Sequence, residues 1–287
     1  MASFDVPLGD RIGVGGSTLW TCSLGEGSSV VFMPGAGSFG IDMLRTARQI
    51  ADAARVVLYD RAGTGFSDDV PLPRPTSDVT AELRALLSTI GAEPPFVLVG
   101  HSLGGAYAQR FAQEFPSETT GIVLLDPIVH DWNRGMPAEL RIGSGASQGY
   151  TVDDIDVEAE RSWLEHELRG LPAAIRDAAV TRHLAPDRLL TGPREGENFL
   201  EVLDDLAPGP TPVPAIVLHA TEVDPLQAAY RSPDLLRRQI SAMRRLYLAL
   251  VSVPERYRVL PTATHSTIAT AFPVEITQAV TEILSRR

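Results

Sequence analysis

The stretch FVLVGHSLGG, residues 96–105, runs four apolar residues straight into a glycine-rich turn that holds Ser102. A hydroxyl at the end of a buried strand needs a hydrogen-bond partner. The frame Gly100-His101-Ser102-Leu103-Gly104 puts the serine where a strand turns sharply into a helix, and the glycines leave room for a strained backbone and close strand–helix packing. The first N–H groups of the helix, that of Leu103 among them, then point at the space above the hydroxyl. Such a setting suits a nucleophile.

Outward from this stretch, β-branched runs alternate with amphipathic helical segments. Strands are expected at 17–22, 29–33, 55–59, 96–99, 121–125, 214–218 and 256–260. Several are continuously apolar, as strands buried on both faces are. Helices are expected at 77–90, 103–115, 233–250 and 273–284 from the spacing of their apolar residues. The fold class is therefore α/β, a mainly parallel sheet flanked by helices. Residues 128–212 break the alternation, with helical patterns at 151–170 and 173–184 and no convincing strand. They read as a helical cap inserted into a core domain made of 1–127 and 213–287.

The 287 residues can bury a sizeable core, and 44% hydrophobic with 21% charged residues is ordinary for a globular chain. A net charge of −11 argues against nucleic acid as a partner. Cys22 is the single cysteine, so no intrachain disulfide forms, and it reads as a small buried hydrophobe. The first residues lack the basic end and apolar run of a signal peptide, and no apolar run is long enough for a membrane span. A cytoplasmic protein acting on a small molecule, with its oligomeric state undetermined, is the expectation.

A serine nucleophile needs a base within hydrogen-bond reach. Of six histidines, His265 follows the last expected strand and so lies at the same carboxyl edge as Ser102. His101 adjoins the serine, but neighbouring side chains at a tight turn diverge, which makes it structural. His130, His166, His183 and His219 read as packing or solvated residues.

The segments VVFMPGAG, YDRAGTGFSD, FVLVGHSLGG, GIVLLDP and RVLPTATH, in this order and spacing, resemble the α/β-hydrolases from about residue 17 to the C-terminus. The resemblance implies Ser102 as nucleophile, His265 as general base, and the N–H groups of Ala36 and Leu103 as oxyanion-hole donors. Many members carry His-Gly where this chain has Pro34-Gly35, so the side-chain bonds that a histidine could use to pin this loop are missing here. Gly35 and Trp132 are expected against the substrate; Trp132, Met136, Ile142, Trp163 and Phe199 are read either as apolar lining of a pocket or as core of the cap, the latter preferred. The acid that orients His265 has two candidate positions. Asp126 ends a buried strand, where an unpaired carboxylate would be costly, and haloalkane dehalogenases place their acid there. Asp224 lies in the usual loop of the family, which here has an extra residue, with Glu222 as a third choice. Asp126 is preferred and Asp224 remains the alternative. Asp60, Arg61 and Asp68 read as an ion-paired or turn-capping set.

These roles imply acyl transfer on an ester, lactone or thioester of a mainly apolar acid, without metal or organic cofactor. Carbon–carbon cleavage, elimination or cyclisation on the same fold, or ligand binding by a receptor-like member, are the alternatives. Dehalogenases and epoxide hydrolases of the family need an aspartate where Ser102 stands.

Overall fold

The computed structural model describes residues 8–143 and 151–286. The first residues, on which the signal-peptide expectation rests, lie in part outside these ranges, as does part of the helical insertion, 144–150. One eight-stranded sheet contains β1 (Asp10–Val14), β2 (Ser17–Leu24), β3 (Ser29–Met33), β4 (Arg55–Tyr59), β5 (Phe96–His101), β6 (Thr119–Leu125), β7 (Ala215–Ala220) and β8 (Tyr257–Leu260). Their order is β1-β2-β4-β3-β5-β6-β7-β8. β2 runs antiparallel to both β1 and β4, and every other pairing is parallel.

The described helices are α1 (Leu44–Ile50), α2 (Thr76–Thr89), α3 (Leu103–Glu114), α4 (Trp132–Gly135), α5 (Val157–Glu167), α6 (Ala173–His183), α7 (Thr191–Glu195), α8 (Phe199–Asp205), α9 (Pro225–Ala228), α10 (Pro233–Leu250), α11 (Ile268–Ala271) and α12 (Pro273–Leu284). Between β6 and β7 the described residues hold α4 to α8 and no strand.

The apolar runs of the central strands divide by parity, because successive side chains point to opposite faces. Val31, Met33, Leu98, Ile122 and Leu124 join one core with α2, α3 and α10. Val30, Phe32, Val97, Val99, Val123 and Leu125 join the other with α1, α6 and α12. Local signals end the helices where the sequence places them. Gly91 at φ 62° lets Ala92 N–H reach Leu87 O at 2.9 Å and Gly91 N–H reach Ser88 O at 3.1 Å, which closes α2 with a Schellman turn. Ser232 caps α10 by accepting from Leu235 N–H, and Pro233 occupies the first turn.

Three differences from the sequence reading have local causes. β1 is mostly exposed and polar, so it lacks an apolar signature, and its pairing with β2 defines it. α1 is a seven-residue helix with only Leu44, Ala47 and Ile50 as its apolar stripe. The helix expected over 151–170 is broken: Thr151 and Asp154 close a one-turn 3₁₀ segment, and Asp156 caps α5 by accepting from Ala159 N–H at 3.0 Å. Aspartate side chains there compete with the helical backbone.

β3 pairs with β4 on one side and β5 on the other. The strand order therefore reverses beside β3, and the loops after β3 and β5 open a crevice at their carboxyl ends. The register sets Met33 beside Gly100, His101 beside Leu125, Leu125 beside Leu218 and Ala220 beside Leu260. The residues that follow these strands thus share one edge. Leu98, fully buried in the middle of β5, anchors that register. Leu98→Ala is expected to lower unfolding stability by about 2–5 kcal/mol, read as a lower denaturant midpoint by circular dichroism.

Candidate active site

Ser102 sits between β5 and α3 at φ 50° and ψ −116°, and Asp126, just after β6, at φ 45°. They are the only non-glycine residues with positive φ among the described residues. Hydrogen bonds hold both turns: Ser102 N–H donates to Leu125 O, Ile128 N–H to Ser102 O, and Asp126 N–H to Leu218 O, at 3.0–3.1 Å. The glycines of the turn are there for space. A Cβ on Gly100 would lie 2.5 Å from Gly104 O, and one on Gly104 would lie 2.0 Å from Met33 O and 2.4 Å from Pro34 O. Only glycine lets the start of α3 lie against the loop that follows β3.

His265, in the turn between β8 and α11, reaches both of these residues. Its Nδ1 lies 3.2 Å from Asp126 Oδ2 and its Nε2 lies 3.2 Å from Ser102 Oγ. A carboxylate only accepts, so Nδ1 carries the proton in the neutral ring and Nε2 is left to accept from the hydroxyl. Asp126 is 2% exposed, and its other oxygen accepts from Ala220 N–H at 3.0 Å. Burial opposes charge on His265, but the hydrogen bond and charge of Asp126, with the charge of Asp224 behind them, hold its pKa above the ordinary 6.5.

Asp224 touches a different atom. It accepts from Leu226 N–H at the start of α9 and from Ser266 N–H at 2.7 Å, which fixes the backbone next to His265. Burial works against its charge, yet the Ser266 bond and the neighbouring His265 hold the carboxyl below its usual range. Glu222 is exposed and bonds Val223 N–H. His101 donates from Nε2 to His265 O at 2.9 Å. Burial, with His265 beside it, pushes His101 down to about 3, so the ring is neutral. Of the other histidines, His183 stacks on Phe39 and bonds Asp42, His130 meets Leu203 O, His219 meets the Tyr257 hydroxyl, and His166 is exposed.

The loop after β3 has a partner that the sequence reading missed. Arg61 donates from Nη1 to Pro34 O at 2.7 Å and from Nη2 to Gly35 O at 2.9 Å. The same guanidinium bonds both carboxylate oxygens of Glu195 in α7, at 2.8 and 3.0 Å, and Glu195 Oε2 also accepts from Gly37 N–H at 2.9 Å. The side chains are 1% and 4% exposed. Removing one partner of a buried pair strands the other charge, which costs about 3–5 kcal/mol. No sequence signal marks Glu195, which lies in a polar run. Asp60 accepts from Gly40 and Phe66 N–H groups, and Asp68 pairs with Arg11.

Above these groups lies a cavity of about 870 Å³. Gly35, Ala36, Ser102 and His265 form part of its wall, and Trp132, Ile142, Trp163 and Phe199 another part. Met136 packs into the core, the other place expected for it. Leu103 is wholly buried and opens α3, so its N–H has no acceptor within the helix. Among the described residues no group of three or more His, Cys, Asp or Glu side chains could hold a metal ion, and no helix is long and apolar enough to cross a membrane. Cys22 is a buried free thiol.

A strained serine between a parallel strand and a helix, at the carboxyl edge of an eight-stranded sheet, defines the hydrolase class of α/β proteins. The chain belongs to the alpha/beta hydrolase family, whose profile matches residues 30–278. It is similar to the 2-hydroxy-6-oxononadienedioate/2-hydroxy-6-oxononatrienedioate hydrolase of Comamonas testosteroni, at 32% identity over 108 residues, 36% of this chain and 37% of that one. It is also similar to the pimeloyl-[acyl-carrier protein] methyl ester esterase of Chromobacterium violaceum, at 36% identity over 107 residues, 37% of this chain and 40% of that one. The matched stretch spans less than half the length of the curated relatives. Among solved structures, a mutant of the meta-cleavage product hydrolase from Pseudomonas fluorescens IP01 aligns with a TM-score of 0.69 and 17% identity, covering 98% of this chain and 99% of that one, a likeness of fold.

The contact with Asp126 makes a measurable prediction. In an NMR titration His265 is expected to hold its proton to higher pH than an unperturbed histidine side chain, and Asp126→Asn to lower that midpoint. An unchanged midpoint in the folded variant would contradict the contact.

Proposed function

We propose that the protein is a serine hydrolase that cleaves a carboxylic ester, lactone or thioester of a mainly apolar small molecule. The observation that carries this reading is the hydrogen-bonded line from Asp126 through His265 to Ser102, 3.2 Å at each step. A hydroxyl is a weak nucleophile at neutral pH, and an adjacent base oriented by a third group activates it. His265 Nε2 takes the Ser102 proton as Oγ bonds to the carbonyl carbon, and the π pair moves onto the carbonyl oxygen. Asp126 stabilises the imidazolium that forms. The N–H groups of Ala36 and Leu103 are the assigned donors to the oxyanion, each worth about 3–4 kcal/mol. The intermediate collapses, the leaving oxygen or sulfur takes the proton from His265, and the acyl group stays on Ser102. Water, deprotonated by His265, then attacks the acyl carbon and releases the acid with Ser102 restored. No step calls for a metal or organic cofactor.

In this reading residues 1–127 and 213–287 supply the chemistry, and 128–212 act as a cap whose Trp132 lies against the substrate. Gly35 leaves the backbone open to it. Hydrolysis of a 2-hydroxy-6-oxo acid, the kind of compound named in one of the relatives, is the second reading. The cavity wall favours the first. It carries Asp42, Glu139, Asp154, Asp156, Glu160 and Glu167 against three arginines. Of these, Arg188 is ion-paired to Asp69 and Asp187, Asp42 bonds His183 and Glu139 pairs with Arg238, which leaves four acids against two arginines. A wall of that sign disfavours a dicarboxylate.

Labelling with a fluorophosphonate and turnover of p-nitrophenyl esters test the proposal. Ser102→Ala and His265→Ala are expected to abolish both in folded protein. Asp126→Asn is expected to slow them by about 10²–10⁴, more than Asp224→Asn does. Because His265 acts as base only when neutral and its pKa is raised, kcat/KM is expected to fall as pH drops through a value above 6.5. A folded parent that neither labels nor turns over any of these esters would defeat the proposal.

A further inference from the structure

The serine reading requires the loop at 34–37 to hold the Ala36 N–H in place, and the loop has no side chain of its own that could do so. Pro34 lacks an N–H, Gly35 and Gly37 have no side chains, and Gly37 sits at φ 73°. Apart from one backbone turn, Ser38 N–H to Gly35 O at 3.3 Å, what holds the loop comes from two distant parts of the chain. Arg61 takes the carbonyls of Pro34 and Gly35, and Glu195 takes the N–H of Gly37, so the peptide of Ala36 is gripped from both sides. The two gripping groups are also bonded to each other through both carboxylate oxygens. Arg61 belongs to the loop after β4, whereas Glu195 belongs to α7 in the helical stretch between β6 and β7.

We propose that Glu195 is a positioning residue for the Pro34-Gly35-Ala36-Gly37 loop. With Arg61 it makes the orientation of the Ala36 N–H depend on α7 being docked against the core. The inference rests on the serine hydrolase reading for its catalytic consequence. It goes beyond that reading by tying the oxyanion donor to the helical stretch: if α7 lifts away, the Gly37 N–H loses its acceptor and Arg61 loses its counter-charge, so one arm of the grip opens. Asn198, three residues past the end of α7, provides the contrast. Its Nδ2 donates to Arg74 O at 2.9 Å, which docks the same stretch without touching the loop.

The test follows the steady-state hydrolysis of p-nitrophenyl butyrate by Glu195→Gln, Glu195→Ala and Asn198→Ala, each confirmed folded by circular dichroism. Loss of an oriented oxyanion donor acts on the transition state. Both Glu195 variants are therefore expected to lose kcat by at least about ten-fold with KM little changed, Glu195→Ala the more, while Asn198→Ala keeps kcat. Parent-like kcat in folded Glu195→Ala would overturn the proposal. So would an equal loss of kcat in Asn198→Ala. A second measurement needs no variant: the Gly37 amide of the unmutated protein is expected to exchange slowly with solvent, and unprotected exchange would overturn the grip even if the variants fail to fold. Ser102→Ala run alongside separates the two ideas. Turnover that survives Ser102→Ala would defeat the serine reading, whereas the Gly37 exchange rate judges the grip on its own.

Discussion

The backbone of Ser102 is the constraint around which this edge of the sheet is organised. A non-glycine residue at φ 50° and ψ −116° costs of the order of 1–3 kcal/mol, and such a conformation persists only where its surroundings leave no alternative. Here β5 and β6 pair in parallel right up to the turn, Leu125 O accepts the serine's N–H, and Ile128 N–H closes on its carbonyl. Gly100, Gly104 and Gly105 are absent side chains as much as residues, since a Cβ on any of them would meet backbone or Pro127 at 2.0–2.7 Å. The strain therefore fixes the approach of α3, which packs closely against the loop after β3.

Much of this was legible in advance because it is written in local pattern. β3 and β4 fall at the expected 29–33 and 55–59, each one polar residue followed by its apolar run, and α10 and α12 fall at the expected 233–250 and 273–284. β1 was not legible: an exposed, polar five-residue segment becomes a strand only by finding β2. The candidate site divides in the same way. Ser102 and His265 follow strands of one edge, and their neighbourhood could be argued from topology. Asp126 and Asp224 also both follow strands of that edge, so chain order could not rank them. The distinction lies in which atoms they meet, the imidazole Nδ1 for one and the Ser266 N–H for the other. Glu195 had no signal, because its burial depends on a contact 134 residues away in sequence.

The two carboxylates also divide the electrostatics around His265. Asp126 gives the ring a hydrogen-bond acceptor and a charge, while Asp224, tied to backbone donors, contributes only its charge at longer range. His101 completes the arrangement from the opposite side. Kept neutral by burial, it donates to the carbonyl of His265 without adding a second positive charge beside the ring.

Several bonds of the seam between the helical stretch and the core end on main-chain atoms of the core. Arg182 and Arg188 both donate to Gly65 O, Arg188 also to Ser67 O, Asn198 to Arg74 O, and Glu195 receives Gly37 N–H. Peptide groups are the same whatever residue carries them. Ser67 and Arg74 can therefore change side chain and still offer these acceptors, whereas the buried Arg61–Glu195 pair is fastened side chain to side chain. The joint is thus of two kinds, one tolerant of substitution on the core side and one that any substitution of Arg61 or Glu195 would break.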